Sequence, residues 1–89
     1  MISETDKTAI QRLAAQHGAK RILLFGSSTD PVREGRDIDL AVEGMRADRF
    51  FKFYGDLLFA LPRPVDLIDL AQDTPFTRIV RREGVPIYG

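Results

Sequence analysis

The chain has 89 residues, of which 44% are hydrophobic and 29% charged, the composition of an ordinary globular domain. Its 13 basic and 13 acidic residues cancel, so no global field draws it onto DNA or RNA, and nucleic acid is not expected as a partner. The absence of cysteine excludes disulfides, thiolate nucleophiles and cysteine-based zinc sites, and a single histidine excludes histidine-rich metal centres.

The length leaves room for one domain, 1–89, which at this size buries roughly 60–65% of its unfolded surface. No apolar run approaches the roughly 18 residues of a membrane span. The start, Met1-Ile2-Ser3-Glu4-Thr5-Asp6, is acidic and polar and lacks the basic head and apolar core of a secretory signal. The expected location is cytoplasmic, with no membrane partner.

The first element is a helix over 4–17. Ser3, with Asp6 three residues on, resembles a capping box; Ile10, Leu13, Ala14 and His17 recur at helical spacing, and Gly18 ends the run. Ile22-Leu23-Leu24-Phe25 is a continuous apolar run that stops at Gly26-Ser27, as a buried strand entering a functional turn does. Residues 28–36 are polar, and Asp30-Pro31 can cap one irregular helical turn. Residues 37–42 alternate carboxylate and aliphatic side chains, the period of a strand with one polar face, and Gly44 closes it. Nine residues separate Ser27 from Asp37; so short a link favours an antiparallel return, because a parallel crossover takes a dozen residues or more.

From Asp48 the sequence carries Phe50, Phe51, Phe53, Tyr54, Leu57, Leu58 and Leu61 before Pro62, the broad apolar stripe of a helix over 48–61. Core packing is the expected role of its aromatics, with a partner surface as the alternative. A third strand follows over 65–70. Thr74-Pro75 supplies an N-cap and first position for a helix that ends before Gly84, and Val85-Pro86-Ile87-Tyr88 reads as an edge strand, where the missing proline N–H is tolerated. The order α-β-turn-β-α-β-α-β predicts an α/β (α+β) fold with a mixed, partly antiparallel central sheet of about four strands and helices packed on it.

The chemistry lies in the turn and the carboxylates. In a strand, residues i and i+2 share a face about 6–7 Å apart, so Asp37 and Asp39 project together. Carboxylates at that spacing can converge on two divalent cations roughly 3.5–4 Å apart, the arrangement of two-metal phosphoryl transfer, and carboxylate, phosphate and water oxygens suit Mg²⁺. Asp66 supplies a third carboxylate if its strand lies beside the second; there it would bridge the catalytic metal and help deprotonate a hydroxyl. Gly26 lets the backbone approach a phosphate, and the Ser27 hydroxyl can donate to its oxygens. Asp69, on the opposite strand face, reads as a strand-end or capping residue. His17 and Arg78, Arg81 and Arg82 read as structural or solvated groups. Tyr88 fits an edge strand or a dimer contact, which leaves a homo-oligomer open.

Leu24-Phe25-Gly26-Ser27, then Asp37-Ile38-Asp39-Leu40 and Val65-Asp66-Leu67-Ile68, with the closing Glu83-Gly84-Val85-Pro86-Ile87-Tyr88, resemble the minimal nucleotidyltransferase family of the polymerase-beta superfamily. The resemblance implies that superfamily's fold and the transfer of a nucleoside monophosphate, commonly adenylyl from ATP, to a hydroxyl acceptor with release of pyrophosphate. It also implies a nucleoside triphosphate substrate, two Mg²⁺ ions, and an antitoxin role beside a helical HEPN-type toxin whose tyrosine is adenylylated. Matched residue by residue, Gly26 and Ser27 fall on the phosphate turn, and Asp37, Asp39 and Asp66 on the metal and catalytic triad. The sequence departs from the family where an Arg and a Gly usually follow the Gly-Ser pair: Ser28-Thr29-Asp30-Pro31 stands there, with Arg33 and Arg36 further on. The rival reading is a binding module that kept its carboxylates and neutralises a partner by covering it.

Overall fold

The computed structural model describes residues 2–29 and 37–89. Its elements are α1 (Glu4–Gln16), β1 (Arg21–Leu24), a single 3-10 turn (Gly26–Thr29), β2 (Ile38–Glu43), α2 (Ala47–Ala60), β3 (Val65–Asp69), α3 (Pro75–Glu83) and β4 (Val85–Tyr88). The strands form one mixed sheet in the order β3-β2-β1-β4. Strand β1 runs antiparallel to β2, as the short link between them favours, and antiparallel to β4 from the other end of the chain, while β2 pairs parallel with β3 across the α2 crossover.

Helices α1 and α2 cover one face of the sheet. Ile22, Leu24, Ile38, Leu40 and Val42 turn to that side and meet Ile10 and Ala14 of α1 and Phe53 and Leu57 of α2. Helix α3 covers part of the other face, where Val80 packs with Leu23, Ala41 and Leu70. Strand β2 is thus apolar on both sides along its middle: Leu40, Ala41 and Val42 are fully buried. This explains why the carboxylate-aliphatic alternation of its sequence gives way after Asp39. The carboxylates occupy the one end of the face that α3 leaves open.

Local signals set the helix ends. Ser3 Oγ accepts the Asp6 N–H at 3.1 Å. At α3 the Thr74 side chain accepts the Thr77 N–H while the Thr77 hydroxyl accepts the Thr74 N–H, a closed capping box with proline at the first turn. His17 caps α1 from inside the core, its Nε2 2.7 Å from Asp56 Oδ2 on α2.

Some expectations are amended. The first strand stops at Leu24, one residue short of Phe25, and Asp37 sits in a bend just before β2. The aromatic run of α2 divides: Phe53 is fully buried, Phe50 and Tyr54 pack at the core's margin, and Phe51 is 78% exposed. Arg81 is more than a solvated side chain, since it donates to Glu43 Oε2 and to the Leu70 carbonyl and so ties α3 to β2 and to the end of β3. Asp69 accepts the Ala71 N–H at 2.9 Å, the capping role expected of it. The helical turn placed at Asp30-Pro31 lies outside the described residues. No described helix is long and apolar enough to cross a membrane.

Candidate active site

The end of β1 and the starts of β2 and β3 meet at one end of the sheet. Gly26 begins the 3-10 turn with φ +62°, a left-handed conformation that glycine adopts without a steric penalty. Its backbone lies directly against β2, and a Cβ added there would stand 2.8 Å from Asp39 Oδ2. Glycine is therefore needed twice at this position, for the turn and for the approach. The turn is closed by the Thr29 hydroxyl donating to the Gly26 carbonyl at 2.9 Å, and anchored by the Phe25 N–H donating to the Asp39 carbonyl at 3.1 Å.

Parallel pairing sets Asp39 of β2 opposite Asp66 of β3 in register. Register partners on adjacent strands share a face and stand about 4.8 Å apart. Asp37 precedes Asp39 by two residues at the exposed mouth of the strand. The Asp39 carboxyl is pushed above its ordinary value, first by partial burial and then by the negative charges of Asp66 and Asp37. Asp39 is thus close enough to both of the other carboxylates to feel their charge. Gly26, in the turn just past the end of β1, Asp39 on β2 and Asp66 on β3 make a line across the sheet from turn to edge.

This donor set fits a divalent metal. Hard carboxylate oxygens are what Mg²⁺ takes, usually one or two of them with phosphate and water completing the shell, and a cation would relieve the repulsion that Asp39 feels. Among the described residues no three acidic or imidazole groups are drawn together into a closed coordination cluster. The side chains of Ser27 and Ser28, and the segment 30–36 with Arg33 and Arg36, lie outside the described residues.

Sequence reasoning did not find two cavities that open beside α3 among the described residues. One, of about 270 Å³, opens beside the turn and is lined by Phe25, Gly26, Phe76 and Ile79. The other, of about 460 Å³, lies between the N-terminal turns of α2 and α3 beside β3, with Phe50, Phe51, Ile68, Gln72 and Phe76 in its wall. Phe76 is shared by both and stands edge-on to Phe25 at 5.8 Å. The only sequence signal for it was an aromatic at the second position of a helix otherwise rich in arginine.

The polymerase beta nucleotidyltransferase family model matches residues 7–89. Among curated proteins none matches the chain. Solved structures are similar over nearly the whole chain, among them the following three. A toxin-antitoxin structure with AMP-PNP is 26% identical, with a TM-score of 0.76 over 93% of this chain and 73% of that one. A candidate minimal nucleotidyltransferase is 30% identical, with a TM-score of 0.72 over 90% of this chain and 87% of that one. A tri-AMPylated HEPN toxin from Shewanella oneidensis in complex with an MNT antitoxin gives 26% identity and a TM-score of 0.71, over 94% and 70%. Turn, carboxylate line, sheet order and these likenesses agree: the chain belongs to the polymerase beta nucleotidyltransferase family and is of the minimal nucleotidyltransferase kind.

Proposed function

We propose that this protein transfers AMP from ATP to a hydroxyl acceptor, a tyrosine of a HEPN-type toxin, and so acts as an antitoxin. The observation that carries the reading is the register Asp39 opposite Asp66, with Gly26 packed on Asp39 at the neighbouring strand end. Support also comes from the AMP-PNP and the tri-AMPylated HEPN toxin in the names of the similar structures.

In this reading Gly26 and Ser27 hold the β- and γ-phosphates through backbone N–H groups and the hydroxyl. Asp37, Asp39 and Asp66 present their carboxylates to two Mg²⁺ ions, and Asp66 also takes up the acceptor proton. When bound, the metals neutralise charge on the triphosphate and orient the attacking and leaving oxygens. The acceptor oxygen forms a bond to Pα, the Pα–O–Pβ bond breaks, and pyrophosphate leaves with the electron pair. The chain contributes positioning and charge, with no covalent intermediate on its own residues.

Melting the protein with Mg²⁺ and each nucleoside triphosphate tests this. A ligand of the folded state raises Tm; ATP with Mg²⁺ is expected to do so in the wild type and to lose most of the effect in Asp39→Asn. No shift with any nucleotide, together with full toxin neutralisation by Asp37→Ala, would establish the covering module instead.

A further inference from the structure

We infer that the acceptor reaches the carboxylates across the β3 edge, its aromatic ring seated in the cavity between α2 and α3 and its protein carried on the outer stripe of α2. This rests on the nucleotidyltransferase reading above. It adds where the acceptor comes from and what holds it.

Strand order fixes the direction. Phosphoryl transfer places the attacking and leaving oxygens roughly in line through phosphorus. With pyrophosphate held at Gly26, beyond β1, and Pα over the Asp39–Asp66 pair, the attacking oxygen arrives from the far side of β3, which is an edge strand. The cavity of about 460 Å³ is on that side. The smaller one shares Gly26 and lies with the leaving group.

The larger cavity suits a phenol. Ile68 in its wall is two residues from Asp66 on the same strand face, about 6–7 Å along the sheet, a span matched by the full reach of a tyrosyl side chain from Cα to its hydroxyl oxygen, so a ring against the near wall of the cavity brings its hydroxyl to the carboxylates. Phe50 and Phe51 stand edge-to-face at 5.3 Å and, with Phe76, offer aromatic walls to a ring. The phenolic oxygen forms its bond to Pα as pyrophosphate departs, and its proton goes to the Asp66 carboxylate and then to water.

The outer face of α2 argues for a protein as the acceptor. Its core contacts are made by Phe53, Leu57 and the margin residues Phe50 and Tyr54. Ala47, Phe51, Gly55, Leu58 and Phe59 instead form a second apolar stripe on the solvent side, where Phe51 is 78%, Leu58 50% and Phe59 96% exposed. The apolar arc is wider than packing on one sheet face requires. At about 1.5 Å per residue the stripe runs about 18 Å from the cavity mouth at Ala47 to Phe59. A small acceptor would leave nearly all of it uncovered, and contiguous exposed apolar surface marks interaction sites. Nothing lies within 4 Å of a Cβ built at Gly55, which leaves a notch between Phe51 and Phe59 for a side-chain ridge of a partner helix.

The test uses isotope-labelled protein with Mg²⁺ and AMP-PNP, titrated with N-acetyl-tyrosinamide as the phenol probe while backbone amide shifts are followed. Shifts at Phe51, Ile68, Gln72 and Phe76 are expected, with a roughly fivefold weaker response to the probe in Phe51→Ser and an unchanged response to AMP-PNP. Phe59→Ser, at the far end of the stripe, is expected to keep the affinity for the probe but to raise KM for transfer to a HEPN-type toxin roughly fivefold, with kcat unchanged. Probe shifts at Phe25 and Ile79, no probe shifts with AMP-PNP bound, or wild-type transfer by Phe59→Ser would overturn the inference while leaving the activity standing. If AMP-PNP itself moves no amide, the nucleotidyltransferase reading falls and this inference with it.

Discussion

Asp39 is the residue on which binding and stability oppose each other. It is partly buried, touched by the Gly26 backbone and repelled by two neighbouring carboxylates. Folding raises its proton affinity, so the folded chain holds more protons than the unfolded one above the ordinary aspartate value, and stability falls as pH climbs through that window. The cost is present wherever the folded carboxyl is ionised. Asp39→Asn is therefore expected to raise Tm in metal-free buffer at pH 7 while removing nucleotidyl transfer, and a drop in Tm would contradict the electrostatic account. Gly26→Ala is expected to fail on both counts: it places a methyl 2.8 Å from Asp39 Oδ2 and holds alanine at φ +62°, a strain of order 1–3 kcal/mol measurable by chemical denaturation. The sequence pointed to Gly26, Asp37, Asp39 and Asp66 because a glycine turn and strand alternation are local patterns. It gave no sign that Gly26 packs on Asp39, because that contact depends on how β1 and β2 pair.

At the scale of elements, α2 carries two jobs on two faces. Phe53 is fully buried between α1 and the sheet, and its ring lies 5.6 Å from that of His17. Phe53→Ala should cost about 3–5 kcal/mol. Phe51→Ala, two residues earlier but exposed, should stay within about 0.5 kcal/mol; a large loss there would place Phe51 in the core. The single apolar run 48–61 told where the helix lies but not that its stripe was double, because a sequence shows periodicity without showing which arc the sheet covers. Helix α3 was legible to its ends through Thr74, Pro75 and Gly84. Thr74→Ala, which opens the capping box, should cost about 1 kcal/mol. The long-range bonds of Arg81 were not legible, since its partners Glu43 and Leu70 are brought to it only by the folded sheet.

Across the whole molecule, Glu43 ties β2 to the neighbouring strand and to the helix on the open face, beside the apolar contacts between those layers. It lies 2.7 Å from Arg21 on the neighbouring strand and 3.0 Å from Arg81 on α3. The hydrogen bond from Arg21, followed by the positive charges of Arg21 and Arg81, holds its carboxyl below the ordinary glutamate value. Such a group stabilises the fold above the unfolded-state value and loses that contribution as pH falls through the folded one. Glu43→Gln is expected to lose about 1–3 kcal/mol at neutral pH and to flatten the decline of Tm in acid; an unchanged acid decline would contradict this. Fold class and strand count followed from the element order, and the antiparallel β1–β2 pair from the short link between them. The β3-β2-β1-β4 order, which lines Gly26, Asp39 and Asp66 across the sheet, required the parallel β2–β3 pairing that the sequence offered only as a condition.

The central claim is that this line of groups transfers AMP to a protein hydroxyl. It is tested most directly by incubating the protein with Mg²⁺, a HEPN-type toxin and ATP labelled at the α-phosphate. The account predicts label on a toxin tyrosine with the wild type and none with the folded Asp39→Asn variant, whereas an unlabelled toxin neutralised equally by both proteins would contradict it.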